Sequence, residues 1–238
     1  MSADRQRVYL LDVEGTIAPI SFVYEQLFPY ARAHFHSFLD SNMFDANVGE
    51  DLLLLAEENR SEGDADAPHM KGPGDPDGVL YLHWLMDRDR KSTALKSLQG
   101  KVWKAGFESG ALKGILFDDV PATLARWSGQ AQAAIYSSGS VEAQRLLLRY
   151  STFGDLTGRI AAHFDTRTGA KTDAASYAAI ARAMQVEAGA IRFYSDVVRE
   201  LDPAREVGCQ TRLVVREGNA PVAEAHGHRV IDTLDGEL

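Results

Sequence analysis

The sequence predicts an α/β protein: a doubly wound parallel sheet whose chain is interrupted by a helical insert. Three observations predict it. The apolar runs Val8-Tyr9-Leu10-Leu11, Ala133-Ala134-Ile135-Tyr136 and Ile191-Arg192-Phe193-Tyr194 each stop at residues with reactive or ligating side chains. Beyond about residue 115, such runs alternate with helical periodicity, the pattern of a parallel sheet covered on both faces. Between residues 18 and 115 the periodicity is helical, with no clear strand. The expected division is a core of residues 1–17 and 116–238 and a helical cap of 18–115.

Each element has its own signal. Val8–Leu11 is short, partly β-branched or aromatic, and ends in Asp12-Val13-Glu14-Gly15-Thr16, which reads as a buried strand delivering Asp12 to a glycine turn. Leu27, Ala31, Phe35 and Phe38 or Leu39 recur at helical spacing, so Phe22–Leu39 is expected as a helix with Pro29 in its first turn. A second helix is expected over Glu50–Asn59. Ser61–Gly78, rich in Gly, Pro and Asp, reads as a mobile loop. Val79–Lys101 reads as one further helix. In the second half, Pro121–Trp127 and Val141–Tyr150 read as helices, Ile160–Phe164 as a short strand, and Asp173–Met184 as a helix capped by Asp173. Arg212-Leu213-Val214-Val215 reads as a further strand. An insert that follows the first strand's loop is well placed to act as a lid.

Composition narrows the function. The 238 residues are 45% hydrophobic and 25% charged, ordinary for a globular protein, and no apolar run approaches the roughly 20 residues of a membrane helix. Met1–Arg7 is polar and lacks a signal-peptide core, and the single cysteine, Cys209, excludes an internal disulfide. A cytoplasmic protein is expected. The net charge of −9 argues against binding a nucleic-acid backbone, while a small phosphorylated substrate remains compatible if a cation offsets the local charge. No long heptad is evident, so a monomer is the expected state. The seven histidines show no metal-ligand spacing.

The strand ends carry, in order, Asp12 and Glu14, then Ser137 to Ser140, then Asp196, with Lys171 ahead of a helix in Gly169-Ala170-Lys171-Thr172. Phosphoryl transfer uses such a set. Two carboxylates can hold Mg²⁺, and Asp12 can attack phosphorus to form an aspartyl phosphate. Ser137 and the following backbone N–H groups at a helix start can hold phosphate oxygens, and Lys171 supplies positive charge.

This order of motifs resembles the haloacid dehalogenase superfamily of hydrolases. The phosphatases of that superfamily mostly have aspartate where this chain has Glu14, and that departure points to one branch. Pro19-Ile20-Ser21-Phe22-Val23, Leu27-Phe28-Pro29-Tyr30-Ala31, Asp89-Arg90-Lys91-Ser92-Thr93-Ala94-Leu95-Lys96, Leu98-Gln99-Gly100 and Ile135–Gln144 resemble the enolase-phosphatases of methionine salvage. Gly169-Ala170-Lys171 and Ser195-Asp196 with Glu200 fit the later motifs, while Ile17 and Ala18 depart from the small polar residues usual there.

The resemblance implies a haloacid dehalogenase-like core with an inserted helical cap. It also implies conversion of 2,3-diketo-5-methylthiopentyl 1-phosphate to an acireductone and phosphate, with one Mg²⁺ per subunit. By position, Asp12, the Glu14 backbone carbonyl and Asp196 would hold the metal, Asp12, Glu14 and Lys171 would act in catalysis, and Ser137, Ser138, Gly139 and Lys171 would bind substrate. For the proton on C1, Glu14 is the first candidate base and a cap residue its rival. Trp84, Trp103 and Phe107 are candidates to line the cap's pocket for the methylthio tail. A different phosphatase of the superfamily and a catalytically inactive relative are the competing readings.

Overall fold

The computed structural model describes residues 7–222 and 226–237, so residues 1–6 of the polar N-terminal stretch lie outside it. In chain order the elements are β1 (Val8–Leu11), α1 (Phe28–Asn42), α2 (Ala46–Ser61), α3 (Asp77–Asp87), α4 (Thr93–Ser109), α5 (Asp119–Trp127), β2 (Gln132–Tyr136), α6 (Val141–Arg149), β3 (Ile160–Phe164), α7 (Ala174–Met184), β4 (Ile191–Ser195), α8 (Val198–Glu206), β5 (Gln210–Val214) and β6 (Arg229–Ile231). Two compact units result, Met1–Val23 with Lys113–Leu238, and Tyr24–Leu112.

The first unit holds a six-stranded sheet in the order β3-β2-β1-β4-β5-β6, every pair parallel. The chain steps outward from β1 through β2 to β3, then returns to the other side of β1 with β4. In such sheets the reversal opens a crevice at the carboxyl ends of the two inner strands. Register puts the ends level: Leu11 lies opposite Ile135 of β2 and Tyr194 of β4. The residues that follow therefore emerge side by side.

β1 is buried along its length because it has a strand on each side and apolar packing on both faces. On one face Val8, Leu10, Ala134, Tyr136 and Phe193 pack against Tyr177 and Ile180 of α7 and Leu201 of α8. On the other, Tyr9, Trp127 and Tyr194 form an aromatic trio with centroids 4.2–6.2 Å apart. The Glu237 carboxylate closes that side. It accepts from Arg192 at 3.0 Å, Arg212 at 2.9 Å and the Tyr194 hydroxyl at 3.2 Å, while its carbonyl accepts from Trp127 Nε1.

The second unit is helical, α1 to α4 packing around Phe35, Leu55, Leu82, Leu98 and Val102. Asp45 caps α2 through the N–H groups of Asn47 and Val48, and Ser92 caps α4 through that of Leu95. Among the described residues no helix is long and apolar enough to cross a membrane.

Several local expectations are corrected. Phe22–Leu27 is a π-helical run, and the α-helix begins at Phe28. The single helix read over Val79–Lys101 is two. Asp89 takes a left-handed conformation at φ 48°, Arg90 N–H closes onto the Leu85 carbonyl, and Ser92 starts a new helix. Helical periodicity survives such a break because both helices bury the same kind of face. The segment between Ser61 and Asp77 is a loop as expected, and Asn59 ties its middle: the amide donates to the Pro68 carbonyl and accepts from Met70 N–H. The sequence reading did not mark α8 or β6.

Candidate active site

Asp12 is buried at the end of β1, its N–H still in the sheet, donating to the Tyr194 carbonyl at 2.9 Å. Its Oδ1 accepts from Val13 N–H at 2.7 Å and from Lys171 Nζ at 2.6 Å. Lys171 also reaches Glu200 Oε2 at 2.6 Å. Ser195 lies between the two acids, its hydroxyl 3.0 Å from Glu200 Oε2 and 3.3 Å from Asp12 Oδ2. Oδ2 is thus the less engaged oxygen of Asp12.

The lysine arrives from a loop, and its loop is held rather than free. The hydroxyls of Tyr136, Ser176 and Tyr177 donate to the successive carbonyls of Gly169, Ala170 and Lys171 at 3.0, 2.8 and 2.7 Å. The Tyr177 hydroxyl also lies 2.8 Å from the Glu200 carbonyl, so one side chain fixes both ends of the lysine–glutamate pair.

Glu14 turns back toward β2, where Ser137 donates to its Oε2 at 3.2 Å. Gly139 N–H folds onto Ser137 Oγ at 3.0 Å, and Ser137 N–H stays in the sheet, bonded to the Phe164 carbonyl. Ser137 therefore offers a hydroxyl to this site, while its own N–H is spent in the sheet. Gln144 of α6 secures this loop by donating to the Gly139 and Phe164 carbonyls, while its own carbonyl accepts from His163. Ser138 is exposed.

Gly15 makes the turn possible. Its φ is +70°, and a methyl group there would fall 2.3 Å from Asp196 Oδ2. Only glycine allows the loop to lie this close to the second aspartate. Beneath the loop, Arg216 donates to the Thr16 carbonyl and pairs with Asp119 at 2.9 Å, and Asn219 donates to the Gly15 carbonyl at 2.9 Å.

The electrostatics are lopsided, with four carboxylates meeting one ammonium. Burial, then the charge of Asp12, raises Glu14 above the usual carboxylate range, and the same two causes raise Glu200. Burial and Asp12 push Asp196 up to about 7. Burial opposes the charge of Lys171, but Asp12 and Glu200 outweigh it and hold the amine protonated. This excess of negative charge suits a divalent cation. Among the described residues no three His, Cys, Asp or Glu side chains form a complete metal cage. Asp12 and Asp196, at neighbouring strand ends, are the one or two carboxylates through which Mg²⁺ is usually bound, the rest of its shell being water.

A model of the haloacid dehalogenase-like hydrolases matches residues 6–208. The enolase-phosphatase E1 of Synechococcus elongatus is 49% identical over 214 residues, covering 90% of this chain and 90% of that protein. The enolase-phosphatase E1 of Leptospira borgpetersenii is 42% identical over 231 residues, covering 96% of each. The chain belongs to the enolase-phosphatase E1 family of haloacid dehalogenase-like hydrolases. Among solved structures, the UTR4 protein of Saccharomyces cerevisiae matches it with a TM-score of 0.79 at 34% identity, covering 98% of this chain and 100% of that one.

In this enolase-phosphatase E1 family member the structure brings together Asp12, Glu14, Ser137, Lys171 and Asp196, and adds Ser195, Tyr177, Gln144, Arg216 and Asn219. Ser195 was signalled by its place before Asp196. Tyr177 read only as a helix-face residue, and Asn219 lay in a turn with no periodic signal. Of the tail-pocket candidates, Trp84 and Phe107 are buried, and Trp84 lies in the helical unit's core under Arg88 and Arg90. Side chains so enclosed offer a ligand little surface. Trp103 is half-buried and donates to the Leu27 carbonyl at 2.7 Å.

Proposed function

We propose that this chain is a Mg²⁺-dependent enolase-phosphatase. It converts 2,3-diketo-5-methylthiopentyl 1-phosphate to the acireductone 1,2-dihydroxy-3-keto-5-methylthiopentene and phosphate in methionine salvage. The observation that carries the reading is the buried Asp12–Lys171–Glu200 bridge, with Glu14 and Ser137 beside it, in a chain so similar to proteins named for both activities.

Glu14 takes the proton from C1. Its raised pKa makes it a stronger base than an ordinary carboxylate once ionised, and Ser137 orients it. Glu14 passes that proton to the enolate oxygen, Asp12 attacks phosphorus, the bond from phosphorus to the C1 oxygen breaks, and the enediolate leaves and takes its second proton from the water that is consumed. Water cleaves the aspartyl phosphate and releases inorganic phosphate. Lys171 holds Asp12 in place and offsets charge on the transferring group. Ser137, Ser138 and Gly139 meet the substrate at the end of β2. Asp12, Asp196 and the Glu14 backbone carbonyl would hold one Mg²⁺ per subunit, whose charge would offset repulsion between the aspartate and the phosphate dianion. The reading includes a cytoplasmic monomer acting on a small molecule. The thiol of Cys209 is buried and pushed up to about 11, unsuited to nucleophilic chemistry, so it is no rival to Asp12 as the nucleophile.

The test is to incubate the protein with the diketone phosphate and Mg²⁺ and follow enol absorbance and phosphate release together. Both signals are expected, and both are lost in Asp12→Asn. Glu14→Gln is expected to lose turnover while keeping metal binding. Phosphate release without an enol signal would leave a phosphatase for a different ester, and unchanged turnover in Glu14→Gln would remove Glu14 as the base.

A further inference from the structure

Three buried side-chain polar atoms lack a partner among the described residues: Trp84 Nε1, Thr16 Oγ1 and Asn219 Oδ1. The last two belong to the catalytic loop and to the turn that grips it. Asn219 is the more informative because its amide orientation is fixed. Nδ2 donates to the carbonyls of Gly15 at 2.9 Å and Val214 at 3.3 Å. A flipped amide would set an oxygen against two carbonyl oxygens. Oδ1 is therefore committed to the other direction, and it lies against Gly15 together with Asp196. A methyl group at Gly15 would be 3.0 Å from Asn219 Oδ1 and 2.3 Å from Asp196 Oδ2.

A buried acceptor with no donor is costly, and Asp196 Oδ2, on the same side of Gly15, adds a second acceptor. What the place lacks is an O–H or N–H group, and a hydrated cation held by Asp196 would bring O–H groups to it. We propose that Asn219 is a positioning residue of the cation site. Nδ2 fixes the Gly15 carbonyl, and Oδ1 accepts a hydrogen bond from a water carried by the cation. The Gly15 N–H donates to the Ala18 carbonyl at 2.8 Å, so the trans peptide turns the Glu14 carbonyl the opposite way. Asn219 grips the next carbonyl along and keeps that loop in register.

This inference rests on the reading that Asp12, Asp196 and the Glu14 carbonyl hold Mg²⁺. The test is titration calorimetry of Mg²⁺ into the metal-free wild type, Asn219→Ala and Asn219→Asp, with urea denaturation of each without metal. Asn219→Ala is expected to bind Mg²⁺ about tenfold more weakly, the usual scale for a residue acting through the ligands and their waters. Asn219→Asp keeps the acceptor but sets a carboxylate oxygen against two carbonyls. It is expected to be less stable without metal than Asn219→Ala, yet to bind Mg²⁺ more tightly than Asn219→Ala does. The reverse order of affinities overturns the proposal. Equal affinity in wild type and Asn219→Ala overturns it too. A wild type that binds no Mg²⁺ overturns the cation reading and this inference together.

Discussion

Lys171 shows how much one buried side chain settles. Its ammonium is the group that lets Asp12 and Glu200 approach each other, and both contacts are 2.6 Å. Lys171→Met keeps most of the volume and leaves two acids facing each other without a counter-charge. The expected cost is about 3–5 kcal/mol, the scale for breaking a buried ion pair, measured by urea denaturation. Adding Glu200→Gln to that variant is expected to restore part of the stability and none of the turnover. Full stability in Lys171→Met alone would mean that the acids carry a shared proton instead. At this scale the sequence is most legible where a reactive residue ends a strand, as at Asp12 and Asp196, because apolar runs mark the strand and its end marks the crevice. It is least legible for Tyr177 and Asn219. Tyr177 fits the buried face of α7 as any aromatic would, and only the folded chain places its hydroxyl beside the Lys171 and Glu200 carbonyls.

At the scale of elements, the join of β2, α6 and β3 makes a testable unit. His163 is half-buried on β3, its Nδ1 is 3.0 Å from the Gln144 carbonyl oxygen, and that amide in turn holds the Gly139 loop. An amide oxygen only accepts, so Nδ1 carries a proton in either charge state of the ring. Burial, and then Arg145 on α6, depress its pKa to about 4. In the unfolded chain the group titrates near 6.5. Between pH 6.5 and 4 the unfolded state therefore binds the proton and the folded state does not. Stability falls as the pH drops through that window and stops falling on this account below 4. His163→Gln is expected to show a shallower loss of stability than wild type between pH 6.5 and 4, followed by thermal denaturation across pH. Identical slopes would remove His163 from the acid response. The strands β1, β2 and β4 were legible because apolar, β-rich runs of the right length are hard to read otherwise. The break between α3 and α4 was not, since it depends on a left-handed Asp89. Nor was β6, whose three residues are too few to show a period. α8 carries Pro203 inside it, which reads as a helix stop when taken alone.

For the whole molecule, the sequence showed that a helical stretch interrupts the sheet, because residues 18–115 hold one periodicity and the rest alternate. It did not show strand order, which is set by pairings between segments far apart in the chain. The side of the sheet away from α7 depends on such a long-range tie. Glu237 joins Arg192 of β4 and Arg212 of β5, while its carbonyl holds Trp127 of α5. Glu237→Gln leaves two largely buried guanidinium groups without their counter-charge. The expected loss is about 3 kcal/mol, read by urea denaturation, with an unchanged Mg²⁺ affinity because the crevice lies at the strand ends. Unaltered stability would mean that solvent replaces the carboxylate fully.

The split sheet also has a consequence for the chain as it is made. The helical unit has all its residues by Leu112, and its core can close on its own segments. β1 cannot be paired then, because its neighbours begin at Gln132 and Ile191. At translation speeds of about 5–20 residues per second, the apolar strand Val8–Leu11 waits roughly ten to forty seconds outside the ribosome before both partners exist. The nascent protein passes through an interval in which a finished domain hangs behind an unpaired hydrophobic strand. That interval, more than the stability of the finished enzyme, is where the chain is exposed to aggregation and where a chaperone that covers apolar segments would act.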